Sequence, residues 1–373
     1  MRWTFRILLA AAATAALSTG AVAQDIKIAT VGPMTGSDAA VGEQMRRGAE
    51  MAVKDINAHG GVLGRKLALT VADDACDPKQ AVSVANQLAN AGVVFVAGHY
   101  CSSASIPASA VYADSRILQI TPASTNPALT DDAAKKGWNN VFRVCGRDDS
   151  QGRVAGDYIA ARFKGQPVAV IDDKSTYGKG LADETIKAMA ARGMTPALHD
   201  SISQGDSDFS ALISKMKQAK IAAIYFGGYY REAGLIVRQA KEQGLNAVLM
   251  GGDALVTVDL WKITGVAGTG TLMTFPPDPR NLPAAQPIVA EFKKDGYDPE
   301  GYTLYTYAAV QVFAEAAAKA KSIKVGDLSK TMKANKFDTV IGSIGFDKKG
   351  DVIGPDYVVY DWKDGAYAEL KKS

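Results

Sequence analysis

An alternation of short apolar runs and amphipathic helical patterns, run through once and then restarted, constrains this chain more than any other feature. Ile26–Val31 (IKIATV) reads as a strand, broken by Gly32-Pro33-Met34-Thr35-Gly36. Val41, Met45, Ala49, Ala52, Val53 and Ile56 recur at helical spacing, and Gly60-Gly61 ends that helix. Lys66–Ala72 follows as a strand, Pro78–Asn90 as a helix, Val93–Ala97 as a strand, Ser105–Ala113 as a helix and Leu118–Thr121 as a strand. The series then restarts. Gly152–Phe163 is a predicted helix, Val168–Asp172 a strand, Gly178–Arg192 and Phe209–Ala219 helices, Ala222–Gly227 a strand, Arg231–Glu242 a helix and Val248–Gly251 a strand. Strands alternating with helices predict an α/β fold whose parallel sheets are covered by helices on both faces. Two such series predict two doubly wound, open-sheet lobes. The length of 373 residues agrees, at ~150 residues per domain.

The segment 276–300 is rich in proline, and two helical patterns follow it, Tyr305–Ala320 and Gly326–Asn335. They have no lobe of their own and are expected to complete the first one. Hydrophobic residues make up 47% of the chain and charged residues 22%, which excludes a disordered chain and a disulfide-dense mini-protein. The formal net charge of +3 is too balanced for a nucleic-acid footprint, so no nucleic acid is expected as a partner.

Residues 1–23 differ from the rest. Arg2 and Arg6 precede an uncharged run, Ile7 to Leu17, and Ala21-Val22-Ala23 has the A-x-A cleavage pattern. The run is too short to span a bilayer. A signal peptide cut before Gln24 is expected, which places the mature protein in an oxidising compartment where disulfides persist. The cysteines are Cys76, Cys101 and Cys145. Cys76 and Cys101 each follow a predicted strand, and if those strands are parallel neighbours their ends meet. Such a bond would contribute roughly 3–4 kcal/mol on the chain-entropy model. Cys145 is then a buried thiol acting as a small hydrophobe. A zinc site is not expected, because there is no Cys-x-x-Cys and the histidines (His59, His99, His199) are scattered.

The sequence contains no G-x-x-x-x-G-K-[ST], no G-x-S-x-G, no H-E-x-x-H and no G-x-G-x-x-G after a strand. No catalytic residues and no cofactor are predicted. Small hydroxyl residues do fall at strand ends, where open α/β sheets bind ligands. One group is Gly98-His99-Tyr100-Cys101-Ser102-Ser103, and another is Pro122-Ala123-Ser124-Thr125-Asn126. Hydroxyls beside free amides at a helix start can hold a carboxylate, though singly such residues are most often helix caps. The second series adds Tyr177, Tyr229 and Asp253, also at strand ends. Aromatic rings supply apolar walls, and one carboxylate can pair with an ammonium.

With these segments in view, the chain resembles the periplasmic leucine/isoleucine/valine-binding proteins of ATP-driven (ABC) uptake systems. The resemblance covers essentially all of the mature chain. It is carried by IKIATVGPMTG, AVKDINAHGGVLGRKL, DDACDPKQAVSVANQL, GHYCSSASIPAS, ITPASTNPALT, DDKSTYGKGLADE, YFGGYY and TYAAVQVF. It implies a type I periplasmic binding protein fold, with two lobes joined by three crossovers near Val144, Phe275 and Gly354. The N-terminal lobe would be 24–144 plus 276–354, and the C-terminal lobe 145–275 plus 355–373. It also implies a Cys76–Cys101 disulfide. Carried over residue by residue, Ser102 and Thr125 hold a ligand carboxylate. Ala123 through its carbonyl, Thr125 and Asp253 hold an ammonium. Tyr177 and Tyr229 close from the second lobe, and Tyr302 lies in the side-chain pocket. The family usually has Glu at the position of Asp253 and an aromatic ring at that of Val41, so Val41 suggests a roomier pocket. The implied function is capture of an aliphatic, branched-chain amino acid by a monomer and its delivery to a membrane permease. Another amino acid, a small amide or a short or aromatic carboxylate is the alternative ligand.

Overall fold

The computed structural model describes residues 24–370, so the expected signal peptide lies outside the described residues. The first unit has strands β1 (Ile26–Gly32), β2 (Leu67–Asp73), β3 (Phe95–Gly98), β4 (Leu118–Thr121) and β5 (Val141–Arg143). Helices α1 (Ala39–Ala58), α2 (Pro78–Asn90), α3 (Ser102–Asp114) and α4 (Ala128–Lys135) connect them. All five strands are parallel, in the order β2-β1-β3-β4-β5. Strands covered on both faces read as near-continuous apolar runs, and β3 and β4 are buried throughout.

The second unit repeats the plan. Its elements are α5 (Asp148–Arg162), β6 (Val168–Asp172), α6 (Thr176–Ala191), β7 (Leu198–Ser201), α7 (Ser210–Gln218), β8 (Ala223–Gly227), α8 (Tyr230–Glu242), β9 (Val248–Gly251), α9 (Val258–Thr264) and β10 (Leu272–Phe275). Its parallel strands run β7-β6-β8-β9-β10, the same order as in the first unit. The chain then returns to the first unit with α10 (Gln286–Lys294), α11 (Thr303–Ala320), α12 (Val325–Ala334) and a small sheet of β11 (Phe337–Thr339), β12 (Gly342–Phe346) and β13 (Val352–Ile353). Helix α11 is buried along most of its length, packs on α1, and stacks Phe313 on Phe95 at 4.5 Å. A Cβ on Gly48 would collide with the Thr303 carbonyl, so the close approach of α1 and α11 requires glycine there. The fold is the expected one, two doubly wound open sheets linked by three passages of chain.

Several elements were not visible in the sequence. β7 is an edge strand with only partly buried or exposed residues and no apolar run. The second sheet is not wholly parallel. It ends in a hairpin, β14 (Val358–Lys363) and β15 (Ala366–Glu369), antiparallel to β10 and to each other. Asp364 and Gly365 turn it with φ of 51° and 83°, as a two-residue type I′ turn demands. The disulfide forms between Cys76 and Cys101, with Cα atoms 5.5 Å apart, but the supposed neighbouring strands are not neighbours. β1 lies between β2 and β3, and the bond spans the C-terminal end of β1. Cys145 is a buried free thiol. No helix among the described residues is long and apolar enough to cross a membrane.

Candidate ligand-binding site

The C-terminal strand ends of the two sheets face each other. From the first unit, the loop after β3 carries Tyr100 and Ser102, the loop after β4 carries Ala123, and Tyr302 immediately precedes α11. From the second, Tyr177 lies in the first turn of α6, Tyr229 caps α8, and Asp253 follows β9. These residues, with Ala254, line a cavity of about 10 Å³. That is room for about one water, so an amino-acid side chain enters only if the tyrosine rings or the two units move apart.

Asp253 is the centre of the site. It is only 2% exposed. Tyr177 donates a hydrogen bond to its Oδ1 at 2.8 Å, and Tyr302 donates one to its Oδ2 at 2.7 Å. One tyrosine comes from each unit, so closing the cleft completes the cradle of the carboxylate. Burial nevertheless raises the carboxyl of Asp253 above its ordinary range, against the opposing effect of the two hydroxyls. An arriving ammonium would restore the charged form. A second buried carboxyl, Asp148 at the start of α5, is also raised, by burial first and then by the charge of Asp253.

The hydroxyl loops are held from beneath. His99 is fully buried, 2.6 Å from Asp74 Oδ2 through Nδ1 and 2.9 Å from the Tyr112 hydroxyl through Nε2. Thr121 donates to the His99 carbonyl at 2.6 Å, which ties the β4 loop to the β3 loop. Arg143 is completely buried. It donates to the carbonyls of Ser124 (2.8 Å) and Asn126 (3.1 Å) and pairs with Asp351 at 2.7 Å. The guanidinium thus sets the curve of the loop that presents Ala123 to the cavity.

Of the predicted site residues, the structure brings together Ser102, Ala123, Tyr177, Tyr229, Asp253 and Tyr302 as cavity walls. It does not bring in Val41, which packs in the core of the first unit on α1. Ser124 is turned away from the cavity, donating to the Tyr100 carbonyl at 2.8 Å and lying 2.6 Å from the Ser105 hydroxyl. Thr125 is buried beside the cavity rather than in its wall. Tyr100 and Ala254 were missed. The signal for Tyr100 was present, an aromatic residue at a strand end one position before the bridged Cys101. Nothing in the sequence marks Ala254. The rings of Tyr100 and Tyr302, with centroids 5.6 Å apart, narrow the cavity from the first unit.

Residues 25–366 match the family model described as periplasmic binding protein. The chain is 48% identical to the Leu/Ile/Val-binding protein homolog 1 of Brucella suis, over 93% of each protein. It is 43% identical to a leucine-, isoleucine-, valine-, threonine- and alanine-binding protein of Pseudomonas aeruginosa, over 98% of this chain and 97% of that one. It superposes with a TM-score of 0.83 on a branched-chain amino acid transporter substrate-binding protein from Streptococcus pneumoniae in complex with isoleucine. That pair is 27% identical and covers 93% of this chain and 100% of the other. The chain belongs to the periplasmic binding protein family.

Proposed function

We propose that this protein is an exported solute-binding protein that captures an aliphatic amino acid, branched-chain first, and delivers it to the permease of an ABC transporter. The observation that carries this reading is the buried Asp253 carboxylate, held by one tyrosine from each unit and facing the hydroxyl of Ser102. A zwitterion fits such a site. Its ammonium meets Asp253 and the Ala123 carbonyl, and its carboxylate meets Ser102, with the amides at the start of α3 and Thr125 nearby. The relatives' names and the isoleucine in the Streptococcus protein support the same ligand class.

The working parts in this reading are an N-terminal lobe of 24–144 plus 276–354 and a C-terminal lobe of 145–275 plus 355–373. They rock about the three passages of chain near Val144, Phe275 and Gly354. Ligand contacts on both sides favour the closed arrangement, which is how binding drives hinge closure. The protein acts as a periplasmic monomer, cut near Ala23, without catalysis, cofactor or metal. A panel of the twenty amino acids, 4-aminobutyrate, small amides and benzoates in a thermal-shift assay tests it. A ligand at ~100 times its dissociation constant stabilises by about 2.7 kcal/mol. Stabilisation by leucine, isoleucine or valine is expected. Stabilisation by benzoates alone would overturn the amino-acid reading, since Asp253 would then face no ammonium. A smaller amino acid or amide is the second reading, favoured by the four tyrosines that narrow the cavity.

A further inference from the structure

Tyr302, which donates to Asp253 Oδ2, is held from behind by a chain of hydrogen bonds that crosses from one unit to the other. Gln44, on α1 and 2% exposed, accepts the Tyr302 amide at Oε1 (2.9 Å) and donates from Nε2 to Glu300 Oε1 (3.4 Å). Only one orientation of the Gln44 amide satisfies both neighbours, because Tyr302 offers an N–H and Glu300 a carboxylate. Glu300 then reaches the second unit. The Val258 amide donates to both of its oxygens at 3.1 Å, and the Thr257 hydroxyl donates to Oε1 at 3.3 Å. Val258 begins α9, and a carboxylate suits the positive end of a helix dipole. Thr257 and Val258 lie just beyond the single turn, Asp253–Leu255, that carries the site's acid. The chain of bonds therefore joins the backbone of Tyr302 to the segment that carries Asp253, alongside the direct bond between their side chains. Gly301 lets the two segments meet. Its φ is 55°, and a Cβ there would collide with Gln44 Oε1 and the Val256 carbonyl.

We propose that Gln44 and Glu300 are positioning residues for ligand capture: the relay Tyr302–Gln44–Glu300–Val258 sets where the Tyr302 hydroxyl meets Asp253, and so aims the Asp253 carboxylate at the ligand ammonium. Neither residue lines the cavity, so neither chooses the ligand side chain. The inference rests on the amino-acid reading above and names residues that serve its ammonium contact. Losing the relay frees Tyr302 to shift against Asp253 while every group in the cavity wall stays in place.

A double-mutant cycle with leucine tests it. Dissociation constants are measured by calorimetry for Glu300→Met and Gln44→Met, each in the wild type and in Tyr302→Phe, with ligand-free thermal melting to establish folding. Tyr302→Phe keeps the ring and removes only the hydroxyl that the relay aims. Residues that act through a shared partner are not additive. In the wild-type background each Met variant is expected to weaken leucine about tenfold, and in Tyr302→Phe less than about twofold. Glu300→Gln, which keeps an acceptor for the Val258 amide, should bind within about threefold of the wild type. If one Met variant does not fold, the other completes the cycle. Equal fold-losses in the two backgrounds, or a Glu300→Gln as weak as Glu300→Met, overturn the relay and leave the amino-acid reading intact. Failure of leucine to bind the wild type overturns the branched-chain reading and this inference with it.

Discussion

The hydroxyl of Tyr230, on the second unit, donates a hydrogen bond of 2.7 Å to the carbonyl of Ser37, on the first. The two residues are 193 positions apart in sequence, and the bond joins the two units directly. If the two units part to admit ligand, this bond must break, so it acts as a latch on closure. A net hydrogen bond contributes about 1 kcal/mol, so Tyr230→Phe should weaken ligand binding roughly fivefold. Because the latch reports on closure, the loss should appear mainly in the dissociation rate, measured by stopped-flow fluorescence. An unchanged dissociation rate would show that the latch is not closed in the bound state.

Asp253 is the acid in the cavity wall, so its charge should matter only to ligands that carry an ammonium. Asp253→Asn is expected to weaken leucine by about 2–5 kcal/mol, the range for truncating a desolvated charge pair. The deaminated analogue of leucine should lose far less. Calorimetric titration of both compounds separates the two roles the residue could have. Equal losses would mean that Asp253 acts through its bonds to Tyr177 and Tyr302, on closure itself.

In this arrangement Asp38 is buried and feels the charges of Asp173 and Glu232 of the other unit. Burial, then the charges of Glu232 and Asp173, push the Asp38 carboxyl up to about 7, opposed by the Ser37 hydroxyl and the Arg231 guanidinium. Tyr100, Tyr229 and Tyr230 are the other titratable groups facing it. Asp173 is pushed up to about 6, mainly by burial. In a hydrated, open cleft an aspartate titrates near ~3.9. The closed form therefore holds the proton more tightly, and closure gains as pH falls through 7 and loses as pH rises. Leucine should bind about tenfold more tightly at pH 6 than at pH 8, as read by titration across that range. Asp38→Asn should flatten most of the dependence. A wild-type affinity that rises with pH would contradict the assignment.

Arg143 is the buried cation under the ligand loop, and its removal leaves the carbonyls of Ser124 and Asn126 without their donor. Breaking a buried pair by deleting one partner costs about 3–5 kcal/mol. Arg143→Met should fall at the lower end, because Arg147 still neutralises Asp351 at 2.7 Å. The measurement is the urea midpoint at constant slope. A loss under about 1 kcal/mol, the worth of a single neutral hydrogen bond, would mean the loop holds its curve without the guanidinium.

The Cys76–Cys101 bond closes a loop with a sequence separation of 25 residues. The Cys76→Ser/Cys101→Ser variant should lose about 3–4 kcal/mol of unfolding free energy. Alkylation of the exported wild-type protein under denaturing, non-reducing conditions should label Cys145 alone. Labelling of all three cysteines would remove the bond from the native protein.

Much of the site was legible because the fold class carries a rule about position. An open α/β sheet binds ligands at the C-terminal ends of its strands, and Ser102, Ala123, Tyr177, Tyr229 and Asp253 all follow strands that the apolar runs mark. Tyr302 was legible only through the family resemblance. Ser124 and Thr125 sit in the right loop, but a strand-end position does not say which way a side chain turns. Arg143 and the His99–Asp74–Tyr112 network decide that from below the loop.

Periodicity and strand-end chemistry, both local properties, determined the α/β repeat, the two units and most of the cavity wall. The docking of one unit on the other decided the rest. It placed Tyr302 of the first unit on the oxygen of Asp253 opposite the one that Tyr177 holds, and it set Asp38 within reach of the charges of Asp173 and Glu232. Those partners lie 49 to 76 residues from Asp253. No periodicity spans that distance, because what joins them is tertiary packing, within the second sheet's loops for Tyr177 and between the two units for Tyr302.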